Sequence, residues 1–358
     1  MSKQKIAFTN KLLGWHKAID RPMPWKDTRD PYAIWLSEII LQQTRVAQGA
    51  KYFENILAKF PTVKELAEAE EDEVLSAWKG LGYYSRARNL QAAAKTIVND
   101  YNGVFPNTYS DILSLKGIGP YTASAIASFA FDLPHAVVDG NVYRVLSRYF
   151  GIEDPIDEPK GRDQLHILAQ ECLEKEHPGS YNQAIMDFGA LQCKPQSPDC
   201  HICPMQDSCY AFQNEIVDVL PLKAKKIKIK SRHFNYFLIS DGEKTLLRKR
   251  PRGDVWQGLY EPPLIETSLS ISKKQLAHEA SLFFGKDLTS SNLNRAASRK
   301  QKLTHQHISV TFFNLDITIE KAGYKWFLIS DLPELAMPRI VDKYFEEIND
   351  GGIQGSLF

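Results

Sequence analysis

The sequence predicts a multidomain protein: a mostly α region over residues 1–222, then a smaller α+β domain over residues 233–348. Three observations predict it. With 358 residues the chain exceeds the size at which one hydrophobic core is the rule. Apolar residues recur at helical spacing through the first part, punctuated by Pro and Gly rather than by strand-like alternation. Beyond Pro221 that habit gives way to short alternating runs.

Taken in order, Ile6, Leu12, Leu13, Trp15 and Ile19 form an apolar stripe of a first helix. Segments 31–47, 84–98, 119–131, 138–150, 161–175 and 180–191 are predicted helices. The six-helix part is placed at about 26–132, and a second part joins 1–25 to 133–222. The basic stretch 223–232 (KAKKIKIKSR) reads as a linker, either a solvated tether or one that runs along a polyanion. Phe234–Ile239 and Thr245–Arg250 are predicted strands, and 273–284 and 339–348 predicted helices. Ile308, Val310 and Phe312 alternate, and Phe313, Leu315, Ile317 and Ile319 continue in the opposite phase. That slip predicts a β-bulge near Phe312–Phe313. Residues 349–358 read as a frayed tail.

Hydrophobic residues at 43% and charged residues at 24% are an ordinary globular balance, which argues against disorder. No apolar run approaches the roughly 18 residues of a membrane span, and the N-terminus alternates charge too early for a signal peptide. The expectation is a soluble, cytoplasmic protein, nucleoid-associated if bacterial. A net charge of +1 neither favours nor excludes nucleic acid, so any such partner must be met by local basic clusters.

Cys193, Cys200, Cys203 and Cys209 form C-x6-C-x2-C-x5-C. Four thiols this close suit zinc or a [4Fe–4S] cluster. A zinc ribbon usually shows two C-x2-C pairs, and this segment has one, so the spacing favours the cluster. Cys172 lies apart, on an amphipathic helix, and reads as a core residue. Leu115 to Ala123 reads as helix, tight turn, helix: Gly117 and Gly119 allow close backbone approach, and Pro120 opens a helix whose free N–H groups suit an anion. A purely structural turn has the same local pattern; Val137-Val138-Asp139-Gly140-Asn141-Val142 about 20 residues later strengthens the DNA-phosphate reading.

Two carboxylates stand out. Glu38 is a lone acid in an apolar helix; buried, it would have a raised pKa and could donate a proton near neutrality, whereas on the polar side beside Ser37 and Gln42 it would be a surface residue. Asp139 precedes a glycine and a helix, and reads as an N-cap that can also face a cleft. Paired carboxylates are the usual equipment for cleaving a glycosidic bond.

Arg21-Pro22-Met23-Pro24-Trp25, Ser37 to Thr44, Gly80 to Arg86, the hairpin at 115–122, Val138 to Val142 and the four cysteines occur in this order. With them the chain resembles the helix–hairpin–helix DNA glycosylases, and among them the adenine DNA glycosylases, over nearly its whole length. The resemblance implies removal of adenine mispaired with 8-oxoguanine or guanine in double-stranded DNA by a monomer carrying a [4Fe–4S] cluster. It implies Glu38 as the acid toward adenine N7 and Asp139 as the carboxylate facing C1′, supported by Tyr121 and Asn141. Arg21, Trp25 and Gln183 would line the adenine pocket. Gln43 and Tyr83 would wedge into the stack near 8-oxoguanine; Gln42, Arg86, Gly117, Gly119 and Thr122 would contact DNA. Tyr121 stands where related bifunctional lyases carry a lysine, so the resemblance implies base release without strand cleavage. Tyr143 stands where some relatives carry another lysine. The C-terminal domain resembles the Nudix-like domain with which the family recognises 8-oxoguanine, without the R-E-x-x-E-E carboxylates of a pyrophosphatase. Leu303-Thr304-His305 occupies the place of a Phe-Ser-His lesion loop: hydroxyl and imidazole persist, the aromatic does not. Two other readings compete, an endonuclease III-like bifunctional glycosylase/lyase and a catalytically silent lesion-binding protein.

Overall fold

A computed structural model describes residues 3–19, 21–224 and 229–349. Residues 225–228 of the expected linker and 350–358 of the expected tail lie outside the described residues. The chain divides into two compact units: residues 1–69 with 88–226, and residues 70–87 with 227–358. The second unit thus takes in Glu70–Ala87, a stretch embedded in the helical part of the sequence.

The first unit is helical. In chain order its main helices are α1 (Lys3–His16), α2 (Pro31–Leu41), α3 (Val46–Lys59), α4 (Val63–Glu68); then, after α5 (Glu71–Ala77) of the second unit, α6 (Ser85–Asp100), α7 (Tyr109–Ser114), α8 (Pro120–Phe131), α9 (Gly140–Phe150), α10 (Pro159–Cys172), α11 (Pro178–Leu191) and α12 (Tyr210–Gln213). α6 begins within the second unit's segment and continues in the first. The expected helix 31–47 is two helices. α2 ends at Leu41, and Gln43, at φ 59°, takes a left-handed conformation that no α-helix continues through. α2 itself starts on Asp30, whose Oδ1 accepts from the Tyr32 N–H at 3.0 Å, with Pro31 in the first turn. Every residue from Tyr32 to Ile40 is buried. A helix apolar all round is a core helix, and this one packs against α8 and α3. One core of this unit joins Phe8 and Leu12 of α1, Val142 and Leu146 of α9, Leu165 of α10 and Ile185 of α11. Cys172 is fully buried in it, as its helical position predicts.

The second unit holds β1 (Lys230–Leu238), β2 (Lys244–Lys249), β3 (Tyr260–Glu261), β4 (Leu264–Thr267), α13 (Lys273–Phe284), β5 (Asn294–Lys302), β6 (Gln306–Asn314), β7 (Lys325–Leu328) and α14 (Arg339–Asn349). One sheet runs β4-β1-β6-β5, with β1 and β6 parallel and the other neighbours antiparallel; the other runs β3-β2-β7. Lys230–Arg232, expected as the end of the linker, begins β1. The phase slip at Phe312–Phe313 has a different cause from the expected one. β6 is continuous against β1 from Gln306 to Asn314. Ile308, Val310 and Phe312 share a core with Val341 and Tyr344 of α14, while Phe313 shares one with Leu276 and Phe284 of α13. Two helices cover opposite faces, so both phases become apolar. The bulge lies in β5, between Arg295 and Ala297, opposite that same pair.

Candidate active site

Glu38 sits on the third turn of α2 and is 7% exposed. Its Oε2 accepts from the Tyr121 hydroxyl at 2.7 Å. Burial pushes the Glu38 carboxyl up to about 7; the Tyr121 hydrogen bond pulls it down and the charge of Asp139 adds to the rise. Of the two positions the sequence leaves open for Glu38, the structure takes the buried one. Tyr121 is the second residue of α8; burial, then the charges of Glu38 and Asp139, hold its phenol protonated well above its ordinary range.

Asp139 caps α9. Its Oδ1 accepts from the N–H groups of Asn141 and Val142, both at 2.8 Å, and its Oδ2 accepts from Asn141 Nδ2 at 2.8 Å. Burial raises its pKa; the bonds from Val142 and Asn141 and the charge of Arg144 offset part of that rise. Arg144, not singled out by the sequence, ties this cap down. It donates to Asn141 Oδ1 at 2.8 Å, to Gly189 O at 2.7 Å and to Cys193 O at 2.8 Å. Gly189 has to be a glycine for this approach, since a Cβ there would lie 2.6 Å from Asn141 Cβ.

A cavity of about 250 Å3 opens beside Glu38, lined among others by Trp25, Gln183, His16, Ser37 and Phe129. Of the residues expected to line a base pocket, Trp25 and Gln183 border it directly. Arg21 reaches the same group through Asp187. Asp187, on α11, is fully buried. It accepts from Arg21 Nη1 and, at 3.0 Å, from Gln183 Nε2, and its Oδ2 lies 3.1 Å from His16 Nε2. Burial would raise its pKa, but the bonds from His16, Arg21 and Gln183 outweigh burial and hold it below its ordinary value. Asp187 and His16 escaped sequence reasoning: the Asp187–Gln183 spacing on one helix was the only local signal.

The turn from Leu115 to Pro120 joins α7 to α8 with Gly117 at φ 81° and Gly119 as N-cap. A Cβ on Gly117 would lie 2.6 Å from Asn89 Cβ. Gln42, just past α2, donates from Nε2 to Thr122 Oγ1 at 3.4 Å, so the two expected DNA contacts touch each other. Thr122 is itself buried.

In the second unit Tyr83 is 48% exposed at φ 48°, a conformation uncommon for an aromatic residue. Its hydroxyl lies 3.1 Å from Thr304 Oγ1, so the expected wedge and the expected lesion loop meet. Thr304 and His305 are the exposed tip of a two-residue turn closed by the Leu303 N–H donating to Gln306 O at 2.7 Å. Arg86 donates to the carbonyls of Leu81 and Gly82 and stacks over Trp78 and Tyr83. It braces the turn that carries Tyr83.

The cysteines follow α11. Cys193 comes two residues after it, Cys200 opens a 3-10 turn, Cys203 ends that turn and Cys209 caps α12. All four are unpaired and line one cavity. Four thiols converging on one cavity supply the donor set that a [4Fe–4S] cluster takes. The surroundings fit an anionic group too. The Met205 N–H points at Cys203 Sγ at 3.4 Å, and the buried Arg148 donates to Cys193 Sγ at 3.5 Å. Arg148's other partners are the carbonyls of Lys194, Pro195 and Leu220, with no carboxylate among the described residues.

Three family models match the chain: the HhH-GPD superfamily base excision DNA repair protein over residues 36–170, the iron-sulfur binding domain of endonuclease III over 193–209, and a NUDIX domain over 235–347. The adenine DNA glycosylase of Buchnera aphidicola subsp. Schizaphis graminum is 30% identical over 350 residues, covering 95% of this chain and 98% of the relative. That of Homo sapiens is 42% identical over 216 residues, covering 58% of this chain and 40% of the relative. The structure of a thermostable thymine-DNA glycosylase matches with a TM-score of 0.56 at 30% identity, over 59% of this chain and 98% of that one. Among the described residues, no helix is long and apolar enough to cross a membrane.

Proposed function

The chain belongs to the adenine DNA glycosylase family, and we propose that it hydrolyses the N-glycosidic bond of adenine opposite 8-oxoguanine or guanine, with Glu38 as the acid. It is a DNA N-glycosylase of base excision repair and carries a [4Fe–4S] cluster. The observation that carries the reading is the buried Glu38, whose carboxyl is raised to about 7 beside the base-sized cavity. Such a group is half protonated near neutrality and can give its proton to a ring nitrogen.

In the proposed reaction adenine is flipped from the stack into that cavity, against Trp25 and the polar set of Arg21 and Gln183. The Glu38 carboxylic acid gives its proton to N7. The C1′–N9 bond breaks and its electron pair leaves with the base. The oxocarbenium sugar faces the Asp139 carboxylate, held in place by Asn141 and the helix start. Water adds to C1′, and its proton passes to the Glu38 carboxylate. Tyr121 orients Glu38 and, having no amine, forms no Schiff base, which supports base release without strand cleavage. Gln42, Gln43, Gly117 and Gly119 are proposed to hold the duplex in the first unit, with the buried Thr122 acting only through Gln42, and Tyr83, Thr304 and His305 to meet 8-oxoguanine in the second. Arg86 acts there by bracing Tyr83. Cys193, Cys200, Cys203 and Cys209 would hold the cluster, which supplies a rigid anionic centre to its loop. One chain carries every proposed part, so a monomer suffices.

The test is single-turnover adenine release from duplexes holding A opposite 8-oxoguanine, G or T, assayed with and without alkali. Breaks that need alkali, and that form fastest opposite 8-oxoguanine, are expected. Breaks without alkali would overturn the monofunctional reading, and equal rates opposite all three partners would overturn the lesion reading.

A further inference from the structure

We infer that the open face of the four-stranded sheet is a second DNA surface, which follows the phosphates of the duplex away from the Thr304-His305 tip. The inference rests on the chain's acting on duplex DNA, and not on which lesion it reads.

Register defines the face. Lys302 pairs with His307, and His307 with Ser231; one step along, Lys300 pairs with Ser309, and Ser309 with His233. Paired residues share a face and successive residues alternate. The intervening side chains, Phe234, Ile308 and Val310, belong to the core shared with α14. Ser298 and Thr311 continue the open face, linked at 3.3 Å, and Arg295 joins them across the bulge by donating to Ser298 Oγ at 2.6 and 3.0 Å. Only farther along does α13 cover it, at Phe237 and Phe313.

The chemistry of this face is one-sided. No acidic residue stands in these rows. Lys300 and Lys302 are exposed and form no ion pair among the described residues. Residues two apart on a strand stand about 6.8 Å apart on the same side. Two ammonium groups so spaced, backed by serine and threonine hydroxyls, suit successive phosphates along one strand. The rows hold no Phe, Tyr or Trp, the broad rings on which unpaired bases stack best, and only the small imidazoles of His233 and His307, which favours a duplex backbone over single-stranded nucleic acid. β5 leads directly into the Thr304-His305 turn, so the cations continue from the tip. β5 is also a sheet edge, and lysines often guard edges against pairing with another chain. Edge guarding accounts for β5 alone. It leaves unexplained the polar, acid-free rows that cross β6 and β1.

The experiment measures Kd of the full chain for an undamaged duplex over a series of salt concentrations. The Lys300→Gln/Lys302→Gln variant is expected to lower the slope of log Kd against log salt by about 1.8, near 0.9 for each lost phosphate contact. The comparison variant, Lys325→Gln/Lys343→Gln, removes two cations from β7 and α14 and is expected to leave the slope unchanged. An equal drop in both variants would reduce the effect to net charge and overturn the inference. An unchanged slope in the first variant, with or without new self-association, would assign β5 to edge guarding and also overturn it. Adenine release opposite 8-oxoguanine, followed in parallel, keeps failure of this surface distinct from failure of the proposed activity.

Discussion

Two buried carboxylates, Glu38 in the first unit and Glu261 in the second, have opposite company. Glu38 meets a neutral phenol and the like charge of Asp139. Glu261, fully buried, accepts from Arg250 at 2.8 Å, from Arg248 at 3.2 Å and from the Tyr236 hydroxyl at 3.0 Å. The adjoining Asp254 is held by Arg232 and Arg250, foremost by the Arg232 hydrogen bonds, far below the usual carboxylate range. Both arginines stack on Phe234, at 4.7 and 4.9 Å. Asp254, held by two guanidinium groups, stays ionised well below neutrality. A carboxylate buried without a cation hovers between two ionisation states. The first arrangement is scaffolding, and the second is what proton transfer needs. Asp187 shows that the first unit builds both kinds side by side.

The contrast can be broken first at Glu38. Glu38→Gln is expected to slow single-turnover adenine release by about 10²- to 10⁴-fold while leaving duplex binding in place. It should also change stability with a definite sign. The folded chain keeps the Glu38 proton up to about 7 against an ordinary value of 4.5. The stability this confers is full below the lower value and lost as pH climbs through the upper one. The variant should therefore gain relative to the parent by roughly 3 kcal/mol above pH 8. Urea unfolding at pH 5 and pH 8 measures it, and curves that stay parallel at both would contradict a buried, cation-free acid.

Arg250→Met attacks the other side of the contrast. Removing one partner from a buried charge network costs about 3–5 kcal/mol, read as a lower urea midpoint with the iron content unchanged. A midpoint within error of the parent would mean the network is not held as described. The smallest effect is expected from Tyr121→Phe. The phenol lowers the Glu38 pKa, so losing it should shift the alkaline limb of the rate profile to higher pH. A shift to lower pH would show that Tyr121 does not donate to Glu38.

What the sequence made legible was mostly local. The cysteine spacing, the Gly117–Pro120 turn and the Asp139 cap each lie within a few residues, and the chain's similarity to known glycosylases extends over the same motifs. Glu38 was half legible: a helix apolar on every side marks no inward face, so only the packing of α2 decides where residue 38 points. β5 was invisible because NRAASRKQK does not alternate; its pairing with β6 makes it a strand. Arg232 read as linker because its partners, Asp254 and Glu266, lie 22 and 34 residues away. Asp187 and Arg144 were missed for the same reason: what distinguishes them is what they hold.

The two-residue turn at Thr304-His305 restricts how this protein can change over generations. Its strands are locked in register from Lys302↔His307 onward. One inserted residue absorbed into β5 would slip that register and send Lys300 and Lys302 toward the core, with Arg299 and Gln301 turned outward. The tip is therefore open to substitution but closed to changes in length. A new side chain at position 304 or 305 would change what the tip presents while leaving the register of β5 and β6 intact.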